Sequence, residues 1–173
     1  MTPPPRSIVL IGFMGSGKSS VGRLLARKLR WPRFDTDEMV VAELGLSIPA
    51  IFAQLGEARF REEETAALAK LDVGPAAVIV TGGGIVLRQE NVRRLQALGT
   101  VVWLTAELAA LQERLARRKD RPLLQTPNPT ATIKRLLGER KPLYAAASDF
   151  AIDTSRLDHE QVTQAILKAL RDR

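Results

Sequence analysis

The stretch "GFMGSGKS", residues 12–19, has the spacing G-x-x-x-x-G-K-S. Glycines at these points let a loop curl until its backbone N–H groups converge on phosphate oxygens. An apolar stretch, "SIVLIGF", precedes it and an amphipathic one, "GKSSVGRLLARKL", follows, so a helix N-terminus would add its dipole to the cradle. Gly15, Ser16, Gly17, Lys18, Ser19 and Ser20 are therefore expected around a nucleotide's phosphates. Lys18 would reach the β- and γ-phosphates, and the Ser19 hydroxyl would ligate Mg²⁺.

Further along, "DTD" places Asp35 and Asp37 at a short strand end, with an i, i+2 spacing that sends both side chains to one face. One carboxylate could hold magnesium through water while the other accepts a hydrogen bond from an alcohol nucleophile. Arg61 in "EARFREEE" invites two readings. With Glu64 it makes an ordinary i, i+3 helix pair, the better reading for one arginine taken alone. Alternatively its fork clamps a substrate carboxylate. Arg121 in "DRPLL" and Arg140 in "GERKPLY" are two more candidate anion ligands, the second placed just before a proline expected to end its helix. The run "VIVTGGGIV" is harder to place. Gly82, Gly83 and Gly84 follow a β-branched stretch, and a strand-ending bulge accounts for one glycine but not three. Something must approach the main chain too closely for side chains.

The elements that would position these groups are visible in the hydropathy pattern. Val21, Leu24, Leu25 and Leu29 fall on one helical face. Residues 47–71 read as two helical segments split near Gly56, "AAVIVT" and "TVVWLT" as buried strands, and "NVRRLQAL" as a helix ended by Gly99. Leu108, Leu111 and Leu115 recur at helical spacing, and residues 120–131, rich in Pro, Thr, Gln and Asn, read as a mobile loop before a helix at 131–140. "DFAIDTS" is a last strand, and Asp158 with Gln161 is spaced as a capping box for the closing helix. Apolar strands alternating with helices argue an α/β architecture, a parallel sheet covered on both faces.

Composition bounds the rest. The 173 residues suit a single domain spanning the chain. With no cysteine, neither disulfides nor thiolate metal sites are available. The opening "MTPPPRS" is neither a secretory signal nor a spanning segment, which makes cytoplasmic the default and residues 1–6 a disordered tip. The formal charge of +7 fits nucleic acid or a small polyanion. Aromatic residues at 5% and the absence of a long basic tract disfavour nucleic acid, and no membrane partner is expected. His159, the only histidine, is read as a surface residue at a helix start, and Trp31 and Trp103 as packing.

In combination, "GFMGSGKS", "DTD", "GxSIxxIFxxxGExxFRxxE", "TGGG", "RPLL", "RxPLY" and "IDTS" resemble the shikimate kinase family from about residue 8 to 156. The resemblance implies a three-layer α/β/α P-loop kinase with a five-stranded parallel sheet in the order 2-3-1-4-5 and a mobile lid at about 115–131. It implies transfer of the γ-phosphoryl of ATP to the 3-hydroxyl of shikimate, towards chorismate and the aromatic amino acids, by a monomer using Mg²⁺. By motif, Asp35 would support the metal through water and Asp37 would orient or deprotonate the nucleophile. Arg61 and Arg140 would grip the shikimate carboxylate, Arg121 would come from the lid to the ATP phosphates, and Arg114 and Arg156 would flank the adenine. Gly82, Gly83 and Gly84 would lie against the shikimate ring, with Gly83 donating its N–H, so that a Cβ there would occupy the ligand's volume. Two other readings compete: a related kinase for gluconate, quinate or a nucleoside monophosphate, and a nucleotide-driven regulatory or nucleic-acid-binding module.

Overall fold

The computed structural model describes residues 6–118 and 120–173; the expectation for the N-terminal tip, apart from Arg6, and Lys119 of the lid lie outside them. Five strands, β1 (Ser7–Ile11), β2 (Arg33–Asp35), β3 (Val78–Val80), β4 (Gly99–Thr105) and β5 (Phe150–Asp153), form one parallel sheet in the order β2-β3-β1-β4-β5. In β1, Val9 pairs with Ile79 on one side and Val101 on the other, which makes it the central strand.

The period-2 rule assigns its faces. Val9 and Ile11 point into one core with Leu68, Leu95, Leu111 and Tyr144. Ile8 and Leu10 point into the other, with Val21, Leu25, Val162 and Ile166. The first core is covered by α3 (Ile48–Lys70), α4 (Gln89–Leu98), α5 (Leu108–Ala116) and α6 (Pro129–Ala147). The second is covered by α1 (Lys18–Leu29) and α7 (His159–Arg171). A small third cluster of Val40, Ile51 and Phe60 joins α2 (Thr36–Leu44) to α3 beyond the sheet edge. Leu24 and Leu29 of α1 are only half-buried, so its fully buried stripe is narrower than the four leucine and valine positions suggested.

Two expectations change. Pro142 does not end α6, which runs on to Ala147. Pro142 is exposed, and so is Gly138, whose carbonyl loses its i+4 donor; water can serve that carbonyl while Tyr144 and Ala147 anchor the next turn in the core. Helix α2 was not foreseen, although Asp35 accepts from the N–H groups of Asp37 and Glu38, and D-x-x-E is a capping signal. The other boundaries follow the pattern: Gly56 breaks α3 with φ 83°, Gly99 ends α4, and Asp158 with Gln161 forms the capping box of α7.

In α1, a Cβ at Gly22 would run into Val80 of β3, a fully buried strand residue with little freedom to move. Gly22→Ala gains about 0.5–1 kcal/mol of helix propensity but overpacks by about 1–3 kcal/mol. A net loss, seen as a melting temperature lower by a few degrees, is expected from calorimetry; an unchanged or higher value would show that Val80 yields.

Candidate active site

Parallel strands deliver their following loops to one edge of the sheet, and the crevice opens where the chain's winding reverses, beside β1. Two cavities meet there. The larger, about 1410 Å³, runs along the loop after β1 and is lined by Gly15, Gly17, Lys18, Ser19 and Ser20. The smaller, about 440 Å³, is walled by Ile48, Phe52 and Phe60 with Arg61, Arg140 and the three glycines. Four residues line both: Met14, Asp37, Gly83 and Arg121. A nucleophile in one cavity and a phosphoryl group in the other would meet at Asp37 and Arg121.

The loop is built as its spacing implies. Gly15 and Gly17 take φ of 81° and 92°, the left-handed region that glycine enters without strain. Gly17 caps α1 with no side-chain bond, so the N–H groups of the first turn face the cavity unclaimed by any side-chain cap. Lys18 Nζ is anchored on Gly12 O at 2.8 Å and Phe13 O at 3.0 Å. Burial, helped by Arg121 and opposed by Asp37 and Asp35, pulls its pKa down to about 8. Ser16 is buried, its Oγ lacks a partner, and it borders a side pocket with Arg114 and His159.

Asp35 and Asp37 do share a cavity, but not through a strand pleat. Asp35 ends β2 and caps α2, while Asp37 sits in the first turn of α2. The other oxygen of Asp35 lies 3.3 Å from Arg33. Burial raises both carboxyls; for Asp37 the cations Lys18, Arg121 and Arg61 oppose it. Oδ1 of Asp37 is buried without a partner.

Arg61 makes the helix pair and also borders the smaller cavity. It lies 2.9 Å from Glu64 and 3.2 Å from Glu57, and its Nε is unpartnered. Arg140 is 3% exposed, has no carboxylate within 4 Å among the described residues, and keeps NH1 without a partner. A buried guanidinium in that condition is costly unless an anion joins it. Among the described residues eight buried side-chain polar atoms lack partners, and six belong to this site: Ser16, Asp37, Arg61, Glu64, Arg121 and Arg140.

The three glycines border the smaller cavity, and two of them also answer a constraint from within the protein. None of the three residues has a positive φ, so space and not dihedral freedom is at issue. A Cβ at Gly82 would strike carboxylate oxygens of Glu64 and Asp37, and a Cβ at Gly84 would strike the Arg61 guanidinium. The site's own charged groups demand these two glycines, although both still border the cavity. A Cβ on Gly83 would stand 3.3 Å from Met14 N and 3.5 Å from Gly12 O, so a side chain there presses on the phosphate loop as well as on the acceptor space. Gly84→Ala is expected to displace Arg61 and raise the acceptor KM at least tenfold with the ATP KM near normal, a split that steady-state kinetics would reveal.

Arg114 lines the larger cavity, tied to Gly15 O at 3.2 Å and Thr154 O at 2.6 Å. Arg156 lines neither the larger cavity nor the side pocket; Leu157 and His159 stand at that wall instead. His159 does start a helix and is exposed, but its ring packs 3.4 Å from where a Gly17 Cβ would lie. Sequence reasoning also passed over Arg23, Arg117 and Arg118 in the larger cavity, Glu64 beneath the glycines, and Tyr144. The Tyr144 hydroxyl donates to Gly83 O, and burial pushes its pKa up to about 12, holding it as a donor. Trp103 stacks on Tyr144 with centroids 6.0 Å apart, a packing role.

The model of the shikimate kinase family matches residues 14–171. The chain belongs to the shikimate kinase family. A shikimate kinase of Thermodesulfovibrio yellowstonii is 46% identical over 163 residues, 94% of each chain. The solved shikimate kinase of Acinetobacter baumannii, in complex with shikimate, superposes with a TM-score of 0.93 at 36% identity, covering 97% of this chain and 94% of that one. The shikimate kinase of Aquifex aeolicus gives 0.83 at 40% identity, over 95% and 96%. The family's P-loop kinase fold is the one found here. No single helix among the described residues is long and apolar enough to cross a membrane.

Proposed function

We propose that this chain transfers the γ-phosphoryl group of ATP to the 3-hydroxyl of shikimate, giving shikimate 3-phosphate and ADP, as a step towards chorismate. The observation that carries the acceptor's chemistry is the buried, carboxylate-free Arg140 beside Arg61 in a pocket with apolar walls. That combination suits a small ring bearing a carboxylate.

ATP occupies the larger cavity with its phosphates along Gly15–Ser20, where the helix N-terminus, Lys18 and Arg114 meet the negative charge. Shikimate occupies the smaller cavity with its carboxylate on Arg61 and Arg140 and its hydroxyls towards Asp37. Asp37, already raised by burial, takes the hydroxyl proton as the oxygen approaches phosphorus. Arg121, which lines both cavities, neutralises charge on the transferring group. The residues fit a magnesium ion: Ser19 and Asp35 border the larger cavity together, and Mg²⁺ is commonly held by one carboxylate, waters and phosphates. Bound there, the ion would supply positive charge against the phosphates. Pro122 and Leu123, within the lid expected at about 115–131, line the acceptor pocket.

Mass spectrometry of the reaction mixture tests this reading. A product heavier than shikimate by one phosphoryl group, formed only with ATP and Mg²⁺, is expected. Unchanged shikimate beside accumulating ADP would contradict it.

A further inference from the structure

Behind the glycines that line the acceptor pocket lies a carboxyl group that the transfer step does not use. Glu64, one turn beyond Arg61 in α3, is 0% exposed. Its Oε2 accepts from Arg61 at 2.9 Å, while Oε1 has no partner. Oε1 and the equally unpartnered Oδ1 of Asp37 both press on the point where a Gly82 Cβ would stand. Two buried carboxylate oxygens thus crowd the same point beside a glycine, and neither has a donor. Like charges held that close, away from water, resist being ionised together.

The charged and titratable groups facing Glu64 are Arg61 on its own helix, Asp37 from α2, and Arg140 and Tyr144 from α6. Burial, with Asp37 adding to it, outweighs Arg61 and Arg140 and pushes Glu64 up to about 7. The free site is therefore poised. An acceptor carboxylate arriving on Arg61 takes hydrogen bonds from the guanidinium that now neutralises Glu64, and it brings a further negative charge beside Glu64.

We propose that docking of the acceptor's carboxylate on Arg61 is coupled to the uptake of a proton by Glu64. The proton comes from solvent and binds the carboxylate oxygen that has no partner. The resulting O–H has Asp37 Oδ1 as its acceptor, so one proton satisfies both orphan oxygens and frees Arg61 for the substrate. When product leaves, the proton returns to solvent. Glu64 touches no reacting atom; it is a positioning residue. The inference rests on the reading of the acceptor as shikimate.

Titration calorimetry of the whole enzyme with shikimate, at about pH 7.5 in phosphate, HEPES and Tris, provides the test. These buffers differ in ionisation enthalpy, so proton uptake appears as a binding heat that changes linearly with buffer. A slope equal to a substantial part of one proton per site is expected. The Kd should rise by up to about tenfold per pH unit above about pH 7. Glu64→Gln keeps an oxygen for Arg61 but cannot titrate, and it should bind with no slope and a flat Kd. If that variant does not fold, the wild-type slope should still vanish near pH 5.5, where Glu64 is protonated beforehand. A zero slope in the wild type, or a slope that persists in Glu64→Gln or at the lower pH, overturns the coupling. No binding heat in any buffer, with no competition by shikimate in a kinetic assay, removes the acceptor assignment and the coupling with it.

Discussion

Lys18→Ala is expected to lower kcat by about two orders of magnitude, the ~3 kcal/mol typical of one preorganised donor lost from a transition state. On the proposed reading the ammonium sits where charge develops in the transfer. Its anchors are the carbonyls of Gly12 and Phe13, and Asp37 is among the charges acting on it. Removing it strands those two carbonyls, so the folded fraction should be checked by calorimetry before the kinetics are read. The same residue sets an alkaline limit. Burial depresses the Lys18 pKa to about 8, so in the free enzyme the charged form is lost as pH rises through that value. The kcat/KM for ATP should therefore fall above about pH 8 while the acidic side is governed by carboxylates. A near-normal kcat in Lys18→Ala would contradict the assignment of the loop.

Arg140→Met should weaken acceptor binding by about 2–5 kcal/mol, roughly thirtyfold to a few thousandfold in KM or Kd. The melting temperature should stay level or rise. Both halves of this expectation follow from burial without a carboxylate: the guanidinium waits for a ligand's charge and contributes no ion pair to the empty fold. Arg61→Met provides the contrast. It also weakens the acceptor, but it strips Glu64 of its partner, and the loss of stability should grow as pH rises through about 7 and Glu64 ionises. An acceptor KM unchanged in Arg140→Met would remove that residue from the site.

How much of this was legible in the residues depended on whether the determining interactions were local. The phosphate loop was legible because its glycines, lysine and flanking elements are contiguous. The sheet was legible as a parallel one because strand and helix periods alternate, but its strand order came from resemblance, since pairing between β1 and β3 joins residues about seventy positions apart. The route of α6 through Pro142 was hidden because whether a proline breaks a helix depends on which side faces solvent. The constraint on the glycine run from within the protein was hidden for the same reason. It comes from Arg61, Glu64 and Asp37, which reach Gly82 and Gly84 only after α2 and α3 fold over β3. Glu64 itself looked like one acid among several in "FREEE"; only burial distinguishes it from Glu62, which stays exposed. Arg156 and His159 lie three positions apart around the start of α7, and sequence alone could not say which would face the nucleotide cavity.

The central claim is that two cavities meeting at Asp37 and Arg121 bring ATP and a carboxylate-bearing acceptor together. ADP release from ATP and Mg²⁺ tests it most directly, measured with shikimate and, in parallel, with quinate, gluconate, AMP, CMP and no acceptor. ADP formed with shikimate far above every other condition is the result expected. Equal ADP release with no acceptor, or preference for a nucleoside monophosphate, would contradict the account.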